Sequence, residues 1–358
     1  MSKGDLVFVG LSGGVDSSVA ALRLKQAGYR VVGVFIRVWH PDFITCTEEQ
    51  DRIDAMRVAA QLEIPFLTCD AREAYKAGVA DEMIREYQAG RTPNPDVLCN
   101  KVIKFGVFES FAKKHGAQML ATGHYAQRTG AGDDARLIVA SDAKKDQTYF
   151  LWMIERALLA GVLFPIGDTL KGDVRSEAFH AGLSSASRPD SQGLCFLGKV
   201  DMKDFLSHYV TSEPGVVRDT SGKKIGTHDG ALFYTIGQRH GIHTATAIDS
   251  TSPLYVVKKN ISENELIVSQ ERPVLNIGAK FALSSINLLI PGALEEGSEY
   301  HVVTRYHGPR VRAHIATVAG TTIVTLIGTG EAISDGQSCV IYDSTTCIGG
   351  GIIEPYYE

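Results

Sequence analysis

Two cysteines stand in surroundings that favour thiol chemistry. Cys99 ends a segment with two prolines, RTPNPDVLC over residues 91–99, and Cys195 follows a glycine in DSQGLCF over residues 190–196. Loops rich in glycine or proline leave a thiol accessible, and nearby cations such as those around Cys99 favour its reactive thiolate form. We therefore expect both cysteines in exposed loops, whereas the other four cysteines are expected to be small buried side chains.

A glycine-rich segment near the N-terminus is suited to binding phosphate. Residues 10–18 read GLSGGVDSS and lie between a buried apolar run and a helical pattern. Glycines let backbone N–H groups close around phosphate oxygens, and a helix N-terminus adds the positive end of its dipole. The segment lacks the lysine of a Walker A loop and does not match GxGxxG. An ordinary strand-to-helix turn would explain the glycines but not the Asp16-Ser17-Ser18 run.

The first 125 residues alternate short apolar runs with helical patterns. Strands are predicted at 6–11, 31–36, 64–68 and 118–122, and helices over 16–27, from 47 onward, over 71–88 and over 101–115. This alternation predicts a parallel sheet with helices on both faces. Ligands of such sheets bind at the carboxyl ends of the strands, which is where residues 10–18 fall.

From about residue 200 the sequence turns to β-branched runs separated by glycine. Strands are predicted at 231–236, 254–257, 266–268, 300–305, 321–327 and 338–342, with turn signals such as Asp229-Gly230 and Asp335-Gly336 between them. The pattern predicts an α/β unit over residues 1–200 and two small β units, with a boundary near Pro273.

Composition limits the class of protein. Of the 358 residues, 44% are hydrophobic and 22% are charged, as in globular proteins. No apolar run reaches the roughly 18 residues of a membrane helix, and no leader pattern is seen, so we expect a cytoplasmic protein without a membrane partner. No cysteine spacing suggests zinc or an iron–sulfur cluster, and no protein-bound metal site is expected.

Charge favours a polyanionic partner locally but not globally. The net charge is −5, yet residues 85–128 contain seven Lys or Arg against three acids. Residues 301–314 contain three arginines, three histidines and no acid. Because phosphate binding depends on the local patch, these stretches are compatible with nucleic acid; solvated surfaces explain them equally well.

The motifs resemble those of a known family. SGGVDS at residues 12–17 is similar to the signature of the PP-loop ATP pyrophosphatases, which transfer AMP to a substrate oxygen and release pyrophosphate. With the two cysteine segments, the chain resembles the bacterial tRNA-specific 2-thiouridylases over nearly its whole length. The other shared blocks are ATGHYA at 121–126, KKDQTYFL at 144–151, YTIGQR at 234–239 and RY at 305–306.

The resemblance implies an α/β PP-loop ATP pyrophosphatase domain followed by two small, mostly β domains, the last a β-barrel. The catalytic domain would span 1–200, the central β-rich domain 201–272 and the barrel 273–358. It implies ATP-dependent 2-thiolation of the wobble uridine, position 34, in the lysine, glutamate and glutamine tRNAs, with ATP and Mg²⁺ as cofactors. The implied partners are the anticodon arm of these tRNAs and a sulfur-relay or cysteine desulfurase protein.

Residue roles also follow from the resemblance. Cys195 would carry a persulfide, and Cys99 would either attack the base or form a disulfide with Cys195. Asp96 would be an acid or base beside the uracil. The implied nucleotide-binding residues are Gly10, Leu11, Ser12, Gly13, Gly14, Val15, Asp16, Ser17, Ile36 and Gly123. The implied tRNA-binding residues are Asn94, Pro95, Asp96, His124, Lys145, Asp146, Gln147, Arg305, Tyr306 and Gln337.

Three alternatives remain open at this level. Another PP-loop ligase, acting on a small carbonyl substrate, would need neither thiol. A tRNA-binding module with a degenerate ATP loop would bind tRNA without modifying it. A structural disulfide between Cys99 and Cys195 would be transient in a reducing cytosol.

Overall fold

The computed structural model describes residues 4–44, 47–190, 193, 195–196, 198, 201–244, 253–295 and 297–355; Cys46 lies outside them. The helices are α1 Val15–Gln26, α2 Glu48–Gln61, α3 Arg72–Tyr75, α4 Asp81–Gln88, α5 Pro95–Cys99, α6 Phe108–Lys114, α7 Arg156–Leu159, α8 Lys171–His180 and α9 Met202–Ser207. Among the described residues, no helix has both the length and the apolar character that crossing a membrane requires.

The strands are β1 Leu6–Gly10, β2 Arg30–Arg37, β3 Phe66–Asp70, β4 Met119–Ala121, β5 Gln127–Thr129, β6 Arg136–Ile138, β7 Val162–Leu163, β8 Gly215–Asp219, β9 Lys224–His228, β10 His243–Thr244, β11 Tyr255–Asn260, β12 Glu265–Ser269, β13 Val274–Leu275, β14 Lys280–Leu288, β15 Glu299–Val303, β16 Val311–Val318, β17 Thr321–Leu326, β18 Gly330–Glu331, β19 Ser338–Asp343 and β20 Thr346–Glu354.

The first unit contains the parallel sheet that the alternation predicts. Its strand order is β3-β2-β1-β4-β7, and every neighbouring pair is parallel. Helices cover both faces, which is why β1, β2 and β4 are mostly apolar along their length, whereas the edge strand β3 is partly exposed. Val7 and Val9 of β1 belong to one core cluster and Phe8 to the other. The carboxyl ends of β1, β2 and β4 therefore meet at one edge of the sheet.

Two of the predicted helices contain wide π-helical turns. The first consists of α3 and α4 joined by Lys76–Ala80; the second begins earlier than expected, at α5, and reaches α6 through Asn100–Val107. Pro95 accounts for this start, because proline suits the first turn of a helix. A Cβ on Gly78 would lie 2.9 Å from the Val102 side chain. The missing side chain thus lets the two wide turns approach closely.

The central β unit has the strand order β10-β9-β8-β12-β11, in which β8 and β12 are parallel. The predicted strand at 231–236 is wrong, because Ala231–Phe233 is a 3₁₀ turn. The N–H groups of Gly230 and Ala231 donate to His228 Nδ1 and Asn264 Oδ1 instead of to a neighbouring strand. A short, buried apolar run is consistent with a strand or with a helical turn, so the sequence pattern alone does not distinguish the two.

The last unit is a closed six-stranded barrel. Its order is β14-β17-β16-β15-β19-β20, and β14 also pairs with β20, which closes the barrel. The sheet continues outward from β20 through β6 and β5, a hairpin that belongs to the first unit. The first unit and the barrel therefore share backbone hydrogen bonds.

The segment before Cys99 is held by both β units. Thr92 N–H donates to the Asp335 carbonyl at 2.8 Å, and its hydroxyl lies 3.3 Å from the Thr235 hydroxyl. Asn94 Oδ1 accepts from Ser338 N–H at 2.6 Å. Residues 92–94, which belong to the first unit, are therefore held by hydrogen bonds to both the central β unit and the barrel.

Candidate active site

The glycine-rich segment forms a tight turn between β1 and α1. Ser17 Oγ donates to the Gly14 carbonyl at 3.1 Å and accepts from Ser12 N–H at 3.2 Å. Ser18 Oγ donates to the same carbonyl at 2.7 Å. The hydroxyls thus fold the loop around the N-terminus of α1, where the first N–H groups of a helix lack intrahelical partners. This is the geometry expected for a phosphate site.

Gly123 approaches the loop from the end of β4. A Cβ at this position would lie 2.7 Å from Ser17 N and 2.8 Å from the Asp16 carbonyl carbon. Ile36, near the end of β2, is 7% exposed and shares this edge of the sheet. The structure thus brings the predicted nucleotide residues together, namely Gly10, Leu11, Ser12, Gly13, Gly14, Val15, Asp16, Ser17, Ile36 and Gly123.

We expect Gly123→Ala to raise the KM for ATP by about tenfold, because the new methyl group would displace the loop backbone, which has no side-chain rotamer to adjust. Steady-state release of pyrophosphate at varied ATP concentration measures this change. Gly161→Ala is the matched control, since its Cβ would meet its nearest atom, the Leu158 carbonyl oxygen, at an ordinary 3.6 Å. An unchanged KM in Gly123→Ala would contradict the prediction.

A lysine missed at the sequence level lies across the loop. Lys171 Nζ, on the first residue of α8, is 2.7 and 2.8 Å from the two carboxylate oxygens of Asp16. Tyr125 donates to the same carboxylate at 2.9 Å. Lys171 follows Asp16 by 155 residues, and no motif links the two. The fold places this cation beside the glycine-rich loop.

Asp190 lies among three cations. Its carboxylate is 3.0 Å from Lys145 Nζ, 2.9 Å from Lys171 Nζ and 2.7 Å from Arg175 Nη2. Partial burial would raise the pKa of Asp190, but hydrogen bonds from Lys171 and Lys145 lower it to about 2. The start of the segment that leads to Cys195 is therefore tied to Lys171, which lies beside the phosphate loop over residues 10–18.

The two thiols of the sequence motifs meet in the fold. Cys99 ends α5 and is fully buried, so the expectation that it lies in an exposed loop is wrong. Its double-proline segment starts a helix instead of forming a loop. Cys195 is partly buried, and the side chains of Cys99 and Cys195 hydrogen-bond to each other as free thiols. The pair is suited to chemistry between two sulfurs.

Cys195 is held through its backbone as well. Its N–H donates to Asp96 Oδ1 at 2.9 Å, and its carbonyl accepts from the Tyr75 hydroxyl at 2.9 Å. Asp96 comes from α5 and Tyr75 from α3. Burial raises the pKa of Asp96, although the N–H of Cys195 opposes the rise. Asp96 thus positions the thiol segment, and its role as acid or base stays a prediction.

The two thiols differ in ionisation. Burial raises the pKa of Cys99 well above its usual value, and the neighbouring Cys195 adds to the rise. The hydrogen bond from Cys99 lowers the pKa of Cys195 to about 7, assisted by the Lys104 ammonium and opposed by burial. Near neutral pH, Cys195 is therefore the more readily ionised thiol and Cys99 its hydrogen-bond donor.

Behind the thiols lies a short hydrogen-bonded chain. Lys104 Nζ is 3.2 Å from His124 Nε2, and His124 Nδ1 is 2.8 Å from Thr122 Oγ1. His124 is 6% exposed, and burial together with the Lys104 charge lowers its pKa well below the usual value. The predicted contact between His124 and tRNA stays a prediction.

Seven of the predicted tRNA residues fall into two groups; Lys145 pairs instead with Asp190, and its contact with tRNA stays a prediction. Tyr306 and Arg305 follow β15 at the edge of the barrel, where the Tyr306 ring lies 4.3 Å from that of Phe150. Arg305 Nη2 donates weakly, at 3.4 Å, to the Ile236 carbonyl. Both side chains are partly exposed. They can contact a ligand without breaking a strong internal bond.

Most residues of the second group take part in hydrogen bonds or in a helix within the protein itself. Asp146 Oδ1 accepts from Ala140 N–H at 2.9 Å, and Gln147 Oε1 accepts from Tyr125 N–H at 2.9 Å. Gln337 is 9% exposed, and its Oε1 has no hydrogen-bond partner among the residues that the structure describes. Asn94 is bonded to Ser338, and Pro95 starts α5. Direct contacts of these residues with tRNA stay predictions.

Family models match the chain in three parts. The tRNA methyl transferase HUP domain matches residues 5–199, the tRNA methyl transferase PRC-barrel domain residues 203–270, and the aminomethyltransferase beta-barrel domain residues 279–353. These matches agree with an α/β unit followed by two β units, as the resemblance implied.

Curated relatives match nearly the full length. The tRNA-specific 2-thiouridylase MnmA 2 of Geobacillus kaustophilus is 41% identical over 98% of this chain and 95% of its own length. MnmA of Listeria monocytogenes is 40% identical over 98% of this chain and 95% of its own. MnmA of Actinobacillus pleuropneumoniae is 39% identical over 97% and 91%. The matched regions thus cover 97–98% of this chain.

Proposed function

The chain belongs to the tRNA-specific 2-thiouridylase family, and from that premise we propose that it replaces the C2 oxygen of the wobble uridine, position 34, with sulfur in the lysine, glutamate and glutamine tRNAs. The carrying observation is the contact between Cys99 and Cys195, two thiols 96 positions apart that meet beside Lys104, whose partner His124 follows β4. The transfer of a methyl group, which the descriptions of two matching family models name, would not require two adjacent thiols.

In the first step, ATP activates the base. The uracil C2 oxygen attacks the α-phosphorus, pyrophosphate leaves, and AMP becomes a good leaving group at C2. The loop over residues 10–18 and the Lys171 ammonium hold the phosphates and stabilise the charge that develops on the pyrophosphate. The adenine lies on the side of Ile36.

Magnesium fits this loop as a companion of ATP. Among the described residues, no group of three or more His, Cys, Asp or Glu side chains is placed to hold a metal ion. Mg²⁺ commonly binds through substrate phosphates and one or two carboxylates, and the Asp16 carboxylate at the loop suits this pattern. When bound, the ion would neutralise charge on the phosphates.

In the second step, sulfur moves from Cys195 to the base. The outer sulfur of a Cys195 persulfide attacks C2, and AMP leaves. Cys99 then attacks Cys195 Sγ, so that the base keeps the outer sulfur and the two cysteines form a disulfide, which a cellular thiol reduces. Cys99 is placed for this attack because it already hydrogen-bonds to Cys195 and is fully buried. A sulfur-relay or cysteine desulfurase protein of the cytoplasm supplies the persulfide.

The tRNA is held between the β units and the thiol site. The wobble base lies in a single-stranded loop, so turning it toward the thiols costs little. Arg305 is placed to hold phosphate and Tyr306 to stack on an unpaired base. Residues 92–94 join all three units beside this position.

We expect Arg305→Gln to weaken tRNA binding by about three- to tenfold and to reduce the slope of log affinity against log salt by about 0.7, because one phosphate contact is lost. Fluorescence titration of labelled tRNA at several KCl concentrations measures both quantities. Arg52→Gln is the matched control, since Arg52 pairs with Glu49 on α2. Parallel salt plots for Arg305→Gln and the wild type would contradict the contact.

The test of the function is direct. Unmodified glutamate tRNA transcript is incubated with the protein, ATP, Mg²⁺ and sulfide, and the digested RNA is analysed by mass spectrometry. We expect 2-thiouridine at position 34 and one pyrophosphate released for each thiouridine. Pyrophosphate release with a small carbonyl acceptor, but no thiouridine, would favour the rival ligase. Binding of tRNA with neither product would favour a binding module.

A further inference from the structure

Lys104 is the charged group at the centre of the thiol site, and no step above uses it. We propose that Lys104 is the counter-cation for the sulfur anion on Cys195, held in place by His124, and is thus a further catalytic residue of the sulfur-transfer step. The inference rests on the proposed function for its place in the reaction.

The hydrogen bonds orient the ammonium. A protonated lysine has three donors and no acceptor, so His124 Nε2 must accept from it at 3.2 Å. The proton of neutral His124 is then on Nδ1, facing Thr122 Oγ1 at 2.8 Å. Lys104 also hydrogen-bonds to Cys195 and lies 5.8 Å from the centroid of the Phe196 ring. The ammonium thus bridges a fixed neutral acceptor and the Cys195 sulfur.

Among the described groups around Cys195, Lys104 is placed to balance the negative charge on the Cys195 sulfur. From α5, Cys99 faces it as a protonated donor and Asp96 as a carboxylate; from α3, Tyr75 faces it with a pKa raised by burial. His124 is neutral. Among these groups, Lys104 is the cation, and although burial alone would lower its pKa, the two thiols and Asp96 raise it. A partly buried ammonium of this kind requires an anionic neighbour.

The same cation serves sulfur loading. The Cys195 thiolate attacks the outer sulfur of a persulfide on a donor protein; the new S–S bond forms as the donor's S–S bond breaks, and the donor's thiolate leaves. No net oxidation occurs. The negative charge leaves on the donor's thiolate, and the Cys195 persulfide becomes an anion when its outer S–H gives its proton to that thiolate, which places the charge one bond further from the backbone. A lysine on a flexible stem can follow this movement, whereas His124 keeps its base fixed.

The test is the pH dependence of alkylation of Cys195. The full-length protein is treated with iodoacetamide between pH 5.5 and 9.5, and the peptide containing Cys195 is quantified by mass spectrometry. For the wild type we expect a midpoint near the pKa of about 7. In Lys104→Met and Lys104→Gln the thiolate loses its cation, so the midpoint should rise by about one pH unit or more. Lys104→Arg should restore most of the shift.

The control separates charge from structure. Lys101→Met removes an exposed lysine from the same π-helical turn and should leave the midpoint unchanged. A merely structural effect would alter the plateau rate, through access to the thiol, but not the midpoint. Coincident midpoints for Lys104→Met, Lys104→Gln and the wild type would overturn the proposal.

The assay also distinguishes this proposal from the proposed function, because alkylation needs neither tRNA nor ATP. A shifted midpoint without any thiouridine from the wild type would retain the role of Lys104 in ionising Cys195 and reject the tRNA reaction. Thiouridine formation with an unshifted midpoint would do the opposite.

Discussion

With sulfur supplied as a protein persulfide, Cys195→Ser and Cys99→Ser are each expected to lower 2-thiouridine formation by at least about a thousandfold, since the two thiols act as a unit. The first variant cannot accept sulfur. The second accepts it but cannot release the base from Cys195, because a serine hydroxyl in the buried Cys99 position does not attack a disulfide sulfur.

An assay with free sulfide distinguishes the two possible roles of Cys99, which are attack on the base and attack on the Cys195 sulfur. When sulfide attacks the adenylated base directly, neither thiol is needed, and we expect both variants to retain at least about a tenth of wild-type activity. Loss of the sulfide-dependent reaction in Cys99→Ser would mean instead that Cys99 attacks the base. Cys339→Ala, a buried cysteine of β19, is the control and should remain active in both assays. Mass spectrometry of nucleosides from digested tRNA provides the readout.

Lys171→Met is expected to lower kcat/KM for ATP by about a hundredfold or more, because a preorganised cation beside the departing pyrophosphate acts mainly in the transition state. Its ammonium already lies at the Asp16 carboxylate, and the loop lacks a lysine of its own. Pyrophosphate release at varied ATP gives kcat/KM, and calorimetry gives ATP affinity.

Two further variants test whether the effect depends on the position and on the charge of Lys171. Lys25→Met removes a cation from the opposite end of α1, where it pairs with Glu63, and should leave ATP kinetics unchanged. Lys171→Arg should retain part of the activity, because it keeps the charge. Equal kcat/KM for Lys171→Met and the wild type would show that the loop backbone suffices for the phosphates.

Local signals were strong enough to predict the sheet and the phosphate loop. Strands β1, β2 and β4 are short, mostly apolar runs, and SGGVDS lies between the end of a strand and the start of a helix, where a phosphate loop is expected. The environment of Cys99 was not predictable in this way. Its neighbours in sequence indicate a loop, whereas burial results from α3, the Cys195 segment and the wide turn after α5.

Long-range charge pairs are not visible in the sequence. Lys171 reaches Asp16, and Lys104 reaches His124 and Cys195, through folding alone. Neither lysine differs in its sequence neighbourhood from a solvated one. Strand β16 is not predicted either: Ala313 and Ile315 are buried between the exposed Arg312 and His314, but the basic residues of this segment indicate a charged stretch more strongly than a strand.

The hairpin of β5 and β6 has a consequence for dissecting the protein. Because β6 pairs with β20, a chain cut near residue 272 would leave this hairpin with an open edge, and open edges promote aggregation. It would also remove the Ser338 and Asp335 partners of residues 92–94. The sheet thus makes the C-terminal unit an obligatory part of the catalytic unit's own architecture, so that gain or loss of the barrel in evolution would require remodelling of the hairpin at the same time.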